Sequence, residues 1–410
     1  MRILSVFFHP SSNFTAVGGA EKRFVEVLKA WNTEDVRVIV VDSDPKLISK
    51  KLVKCRVVGM PSPLRFPGKG LLHIYLEWVS WIIKACLLCP KLMRHQEYDV
   101  ILAPNNTLPN LIVASLLHVV SGVPLCVTVH HMDFSHVDKS ANFSSVYREY
   151  REAGFNLPVA FIKTTAFFMI LTLLRQPDLC IAVSRYTAAF LSNNGIAPCR
   201  ILVSGNGVDV DLIESIVVSG RKVYDGVFVG RIAREKGIFD LVALWKKIVS
   251  HRPESKLVVI GSGPDVSELR DVIEALGMGS QVMLKGYCDD RTLYGLMKTS
   301  KAFLFPSVFE GWGLAVGEAL ACGLPVVCYD IPALREVFGQ CPSVFFVPVG
   351  NARRFAETVE KILEDGRLAE YETVSKKYAE RFSWKKVAAR DLEVIRKMIH
   401  LDACTTQKSF

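Results

Sequence analysis

Short β-branched and aromatic runs alternate with helical patterns along the whole 410-residue chain, and this alternation restricts the fold more than any other feature. In the first half the strand candidates are Ile3–Phe8, Val36–Val41, Asp99–Ala103, Leu125–Val129 and Leu179–Val183. In the second half they are Gly226–Val229, Lys256–Ile260, Gln281–Leu284, Ala302–Phe305, Val326–Tyr329 and Val344–Val347. Such a pattern belongs to parallel α/β sheets, and the length exceeds what one core ordinarily holds. A composition change falls between Gly205 and Val223, where Gly205-Asn206-Gly207 precedes a polar segment. The expected fold is therefore α/β, with two Rossmann-like domains facing across a cleft. The boundaries are 1–205, 206–380 and a closing helix over 381–410. Ligands in such folds bind beyond the carboxyl ends of the strands.

Within the second half, Phe305–Gly323 (FPSVFEGWGLAVGEALACG) carries the most chemistry. An apolar run ends at Pro306, and a loop with Glu310, Gly311 and Gly313 follows. A helical pattern then runs from Leu314 to Gly323, before the next strand. A helix N-terminus reached through glycines offers unpaired amides and a positive dipole end, which suits a phosphate. Glu310 and Glu318 bracket that anion site. Carboxylates repel phosphate but accept hydrogen bonds from hydroxyls, so the ligand implied has a diphosphate in its middle and a polyol at each end. A nucleotide sugar answers that description.

The Glu310-x7-Glu318 spacing with GWGL between resembles the signature of family-four retaining glycosyltransferases (glycosyl transferases group 1), which have the GT-B fold. The resemblance implies that Glu310 contacts sugar hydroxyls, Glu318 the nucleotide ribose, and the amides of Gly313 and Leu314 the diphosphate. Residues 1–205 become the acceptor-side domain, and residues 206–380 the nucleotide-sugar domain. VGRIAREKGIFDLV matches the family's G-R…K-G pattern, whose Arg and Lys neutralise the leaving diphosphate; here these are Arg231 and Lys236. The residues alone allow the same reading, because a strand-to-helix turn can set Arg231 and Lys236 around one diphosphate. Arg234 stands nearby with no assigned role.

Gly18-Gly19-Ala20-Glu21 follows the first strand and opens a helix at Glu21–Ala30; glycines there let backbone approach a ligand. The resemblance sets Gly18 and Gly19 under the donor phosphate and beside the acceptor, with His9–Val17 framing an acceptor pocket. Thr128-Val129-His130-His131 closes a strand, and the family's T-x-H pattern gives the sugar-contacting role to His130, with His131 as the alternative. Val183-Ser184 and Asn206-Gly207-Val208-Asp209 are further landmarks, the latter read as turn chemistry. Gly261-Ser262-Gly263-Pro264 and the turn at Lys285-Gly286-Tyr287 frame the nucleoside by resemblance, with Gly263 among the donor-binding residues and Tyr287 near the base. Ser383-Trp384 begins a last helix that resembles the family's C-terminal helix, and the resemblance implies that it crosses back to the first domain. The resemblance is dense in the second domain and thin over 52–93 and 133–175.

Other readings of the composition are narrower. Half the residues are hydrophobic and 22% are charged, so the chain is globular and not disordered. Its 11 cysteines are scattered, as in a reduced cytosolic protein, and Cys86-x-x-Cys89 reads as core packing. MRILSVFFHPSS reads as a first strand and not as a signal peptide. Asp42-Ser43-Asp44 resembles a metal-holding D-x-D but follows a strand directly, so it reads as a turn. No metal and no cofactor are expected; the donor substrate is a UDP-, GDP- or other nucleoside-diphosphate sugar.

Residues up to Gly205 carry 22 Lys/Arg against 14 Asp/Glu, while the rest carry 28 against 27. A basic half implies an anionic partner, and no aromatic-basic interleaving points to nucleic acid. Gly70–Lys91 reads as one helix with a polar stripe of His73, Glu77, Ser80, Lys84 and Lys91, and with Tyr75, Trp78 and Trp81 on its broad apolar side. Thr164–Leu174 is apolar but too short to span a bilayer. These helices either pack on the sheet or meet a bilayer surface beside basic residues. The partners expected are a nucleotide-sugar donor, a carbohydrate or lipid-linked acceptor and an anionic membrane surface, at a cytoplasmic, peripheral location. Three other functions would each need different residues. An isomerase or epimerase of the same fold would act on the nucleotide sugar itself. A non-catalytic sugar-binding module would not need all four charged residues. A dinucleotide oxidoreductase would need a G-x-G-x-x-G that Val17-Gly-Gly-Ala-Glu21 lacks.

Overall fold

A computed structural model describes residues 1–8, 18–31, 36–42, 55–59, 71–94, 97–130, 132, 140–218 and 222–406, at the level of backbone alone for 71–75, 89–92, 94 and 401–406. The chain divides into two compact units, Met1–Gly205 with Trp384–Phe410, and Asn206–Ser383.

The first unit holds a seven-stranded sheet of β1 (Arg2–Phe7), β2 (Arg37–Asp42), β3 (Arg56–Gly59), β4 (Val100–Ala103), β5 (Leu125–Val129), β6 (Leu179–Ala182) and β7 (Ile201–Val203). The strand order is 3-2-1-4-5-6-7 and every pairing is parallel; Leu4 lies opposite both Ile39 and Ile101. Strands β4, β5 and β6 are buried throughout, as expected of parallel strands with helices on both faces. The crossovers carry helices α1 (Gly19–Trp31), α2 (Leu71–Arg94), α3 (Leu108–Ser121), α4 (Phe143–Glu152), α5 (Leu157–Leu173) and α6 (Arg185–Asn193).

The second unit repeats the plan with β8 (Tyr224–Val229), β9 (Leu257–Ile260), β10 (Val282–Gly286), β11 (Ser300–Phe305), β12 (Val326–Tyr329) and β13 (Val344–Val347) in the order 10-9-8-11-12-13. Its helices are α7 (Val210–Ser215), α8 (Ile238–His251), α9 (Val266–Ala275), α10 (Asp290–Lys298), α11 (Leu314–Ala321), α12 (Pro332–Phe338), α13 (Ala352–Glu364) and α14 (Leu368–Ala379). In both units the order reverses beside the first strand, the arrangement of a Rossmann-like doubly wound sheet. The final helix, α15 (Trp384–Thr406), packs in the first unit against α1. There Arg23 meets Asp391 at 2.7 Å with both side chains buried, and Trp31 Nε1 donates to the Ala388 carbonyl at 2.7 Å.

All eleven expected strands are present, and the sequence reading omits two. Arg56–Gly59 and Ile201–Val203 are the outermost strands of their sheet and only four and three residues long, too short to show a period. Two readings need correcting. Asp42 is not in a turn: it is the last residue of β2, fully buried, opposite Phe7 and Gly59. Asp44 lies outside the described residues, as do His131 and the His9–Val17 loop. In α2 the stripe of Glu77 and Ser80 faces inward, with Ser80 Oγ donating to the Glu77 carbonyl. Trp81 is fully buried against Phe8, with ring centroids 5.1 Å apart, so it serves the core and no interface.

Candidate functional site

The site residues of the second unit gather where β8, β9 and β11 end. Beyond β8 the chain passes through Arg231 into a single 3₁₀ turn, Arg234–Lys236, and then into α8 through Gly237 at φ +67°. A Cβ on Gly237 would stand 1.9 Å from the Pro306 carbonyl oxygen, so only glycine allows this turn to press on the loop after β11. Val308 N fastens the contact by donating to the Glu235 carbonyl at 3.1 Å, and Ser307 Oγ lies 3.4 Å from the same oxygen.

That approach brings Lys236 to Glu310. Lys236 Nζ donates to Glu310 Oε1 at 2.6 Å and to the Phe309 carbonyl at 3.3 Å, while Ser307 Oγ donates to the same carboxylate oxygen at 3.1 Å. Both charged side chains are largely shielded from solvent, so their attraction is screened less than at an open surface. Arg231 is more open and pairs with Glu235 four residues on. The two cations expected to act together are thus each held by an acid of their own. Arg234 is also engaged: it reaches both oxygens of Glu268 at 2.5 Å and lies over the Phe239 ring at 4.7 Å.

Gly313 stands at the N-cap of α11 with φ +91°, and no side chain caps that helix. A Cβ on Gly313 would meet Leu334 at 2.4 Å, which restricts the position further. Trp312 is buried edge-on against Phe338 and Phe382, at 5.3 and 4.9 Å, and anchors the loop. The Gly313 carbonyl accepts from Val316 and Gly317 at 3.0 and 3.2 Å, so the first turn of α11 begins at Leu314. An uncapped helix start of this kind presents amides and a positive dipole end to an anion. Glu318, one turn in, is buried and accepts from Tyr294 Oη at 3.1 Å. Burial, and then the Glu318 carboxylate, push the Tyr294 phenol far above its ordinary range, so it stays a neutral donor.

Gly263 lies beside the turn after β8. A Cβ there would stand 2.1 Å from the Ile232 carbonyl, and Ile232 N donates to the Ser262 carbonyl at 2.9 Å. Asp265 Oδ2 accepts from Arg234 N at 2.8 Å, and burial raises this carboxyl above its ordinary value. Tyr287, just past β10, is about half exposed. Lys236 and Glu310 touch directly, Glu318 meets Tyr294, and Gly263 seats its loop on that of Arg231. Glu235, Ser307 and Tyr294 are the additions that sequence reasoning missed. An acid four residues after Arg231 was a visible signal for Glu235; nothing local announces Tyr294.

In the first unit, His130 directly follows β5, where its amide donates to Asn106 Oδ1 and its Nε2 lies 3.1 Å from the Pro104 carbonyl. Gly18 and Gly19 lead into α1; a Cβ on Gly18 would meet the Glu21 carboxylate at 2.3 Å. Among the described residues no group of three His, Cys, Asp or Glu could hold a metal ion.

Two family models match the chain: Glycosyltransferase Family 4 over residues 17–212 and Glycosyl transferases group 1 over residues 217–382. Among curated proteins, the 2-deoxystreptamine N-acetyl-D-glucosaminyltransferase of Streptomyces fradiae is 25% identical over 377 residues, covering 86% of each chain. The N-acetylgalactosamine-N,N'-diacetylbacillosaminyl-diphospho-undecaprenol 4-alpha-N-acetylgalactosaminyltransferase of Campylobacter jejuni is 29% identical over 56% of this chain and 62% of its own. Against several other curated relatives the chain spans about half their length. Among solved structures, Anabaena HepE in complex with UDP-glucose superposes with a TM-score of 0.71 at 19% identity, covering 97% of this chain and all of the other. That likeness shows the two-sheet GT-B fold.

Proposed function

The chain belongs to the glycosyl transferases group 1, with a Family 4 N-terminal half, and on that premise we propose that it moves a sugar from a nucleoside-diphosphate sugar to an acceptor. One observation carries the reading: Lys236 and Glu310 form a shielded pair beside the uncapped, glycine-led start of α11. A cation, a helix dipole and a hydroxyl-accepting carboxylate in one place match the diphosphate and the sugar of such a donor.

In this mechanism Arg231, Lys236 and the Leu314 end of α11 receive the negative charge that builds on the diphosphate as the anomeric C–O bond breaks. Charges fixed in advance need no reorganisation at that moment, which is how preorganised groups lower a barrier. Glu310 accepts from sugar hydroxyls and, through its bond to Lys236 Nζ, holds the cation in place. Glu318, oriented by Tyr294, accepts from the ribose, while Tyr287 and the Gly263 loop border the nucleoside. The acceptor oxygen attacks from the face that the diphosphate leaves, and its proton passes to the departing phosphate oxygen. The configuration is retained, and no metal takes part. His130, Gly18 and Gly19 serve the sugar and acceptor side.

A carbohydrate or lipid-linked acceptor and a peripheral, cytoplasmic-face location complete the proposal. The test incubates the protein with nucleotide sugars and follows nucleoside diphosphate release with and without acceptors, reading the product linkage by NMR. Acceptor-dependent release with an unchanged anomeric configuration supports the reading. Conversion of the donor without any acceptor would replace it with an isomerase.

A further inference from the structure

The outer faces of α2, α3 and α5 break the usual rule for surface helices. On α2 the exposed side chains include Leu76, Val79, Ile83 and Leu87, spaced three and four apart so that they share one face, with Leu88 beside them. On α3 they are Leu116, Val119 and Val120, with Val119 73% exposed. On α5 they include Leu157, Phe161, Ile162 and Met169. The three helices adjoin, α3 packing against both α2 and α5, so these side chains stand on neighbouring helices. From Val100 to Met132 the sequence has no Asp, Glu, Lys or Arg, and α5 has one charge, Lys163. Helix α13 of the second unit shows the contrast, with Arg353, Arg354, Glu357, Lys361 and Glu364 exposed on its outer face. Exposed apolar tracts of this extent mark a surface that meets an apolar partner.

The border of these faces indicates which partner. Beside α5, Phe143 of α4 packs on Tyr147, Phe161 and Phe168 with ring centroids 5.6–6.5 Å apart. Phe143, Tyr147 and Phe161 line a shallow depression together with Arg148 and Arg151, and Lys163 extends over the rings of Tyr150 and Phe155. Glu149 and Glu152 also lie on α4, so the basic excess there comes from Arg148, Arg151 and Lys163 together. Aromatic rings flanked by cations at the margin of an apolar face match the two layers of a bilayer interface: acyl chains below, anionic headgroups above. No described helix is long and apolar enough to cross a membrane.

We propose that the exposed apolar face of α2, α3 and α5 docks on an anionic lipid surface, with Val119, Val120, Phe161 and Leu157 entering the acyl boundary and Arg148 and Arg151 meeting headgroup phosphates. This deepens the peripheral location given above and uses none of the donor chemistry. It also revises the sequence reading, since the membrane-facing groups are aliphatic residues and α4–α5 aromatics, and not Trp81.

The test is co-sedimentation of the full chain with phosphatidylglycerol or phosphatidylcholine vesicles at low and high ionic strength, without nucleotide. Binding is expected to anionic vesicles, weakening with salt. Each basic side chain near the surface strengthens binding about fivefold, so the paired R148A/R151A variant should bind about 25-fold more weakly. The paired V119D/V120D variant should not bind. Hydrogen exchange on the wild-type protein gives a second readout: vesicles should slow exchange in α3 and α5 but not in α13. No binding to phosphatidylglycerol at low salt would overturn the proposal. So would binding unchanged in V119D/V120D, or a vesicle-free dimer that this variant dissolves. Donor binding is measured separately without vesicles, so a failure here leaves the glycosyl-transfer reading standing.

Discussion

Replacing Tyr294 by Phe tests how the buried carboxylate of the site is held. The substitution keeps the ring, which is fully buried, and removes the hydroxyl that donates to Glu318 Oε1 at 3.1 Å. Hydrogen bonds to charged groups contribute about 1.5–3 kcal/mol, and a carboxylate left short of a donor in a buried place tends to the upper end. Packing changes little, so the whole cost should trace to the lost bond. Urea unfolding should show the variant less stable by about 1.5–3 kcal/mol. Glu318 should then be less well oriented toward a ribose, and nucleotide affinity should fall about tenfold, equal to about 1.4 kcal/mol. Combining Tyr294→Phe with Glu318→Gln closes a double-mutant cycle, with an expected coupling of about 1 kcal/mol or more. An unchanged unfolding midpoint, or strictly additive single effects, would refute the reasoning. Loss of stability with nucleotide affinity untouched would show that the pair serves folding only.

Three further outcomes follow from the same structure. Arg231→Ala and Lys236→Ala should each lower turnover at least about tenfold in a folded protein, since one preorganised charge commonly contributes about 2.7–4 kcal/mol at a leaving group; wild-type activity in either would sink the diphosphate assignment. Turnover should persist in excess chelator, and abolition with rescue by manganese or magnesium would return attention to Asp42 and Asp44. Burial raises the Cys126 and Cys328 thiols and pushes Cys180 up to about 12, and it likewise raises the phenols of Tyr294 and Tyr329. The folded chain keeps these protons while the unfolded chain releases them, so their stabilisation is full below the ordinary thiol and phenol values near 9.0 and 10.0 and declines above them. Chemical unfolding from pH 7 to 11 should show that decline; flat stability across the range would contradict it.

Much of this molecule is legible in its sequence because parallel strands buried on both faces leave unbroken apolar runs, as at Leu125–Val129 and Val326–Tyr329. The edge strands at Arg56 and Ile201 escape because a three- or four-residue run carries no period. In the site, the loop glycines and the two glutamates show themselves because their spacing is local. Glu235 and Tyr294 do not, since their roles arise from contacts between elements; Tyr294 lies on α10, 24 residues before the carboxylate it serves. Helix α2 misleads for another reason. Its polar stripe predicts which side is different, but not which side is out, and the core accepted Glu77 and Ser80 while the solvent side kept Val79, Ile83 and Leu87.

The central claim is that the β8 and β11 loops and the start of α11 form a nucleotide-sugar site in which Lys236 holds the diphosphate. Thermal unfolding across a panel of nucleoside diphosphates and their sugars, run on the wild-type protein and on Lys236→Ala, tests it most directly. A ligand bound at about a hundred times its Kd stabilises the folded state by about 2.7 kcal/mol, so at least one base should raise the unfolding temperature of the wild-type protein and leave that of the variant nearly unchanged. No stabilisation by any nucleotide, or an equal rise in both proteins, would contradict the account.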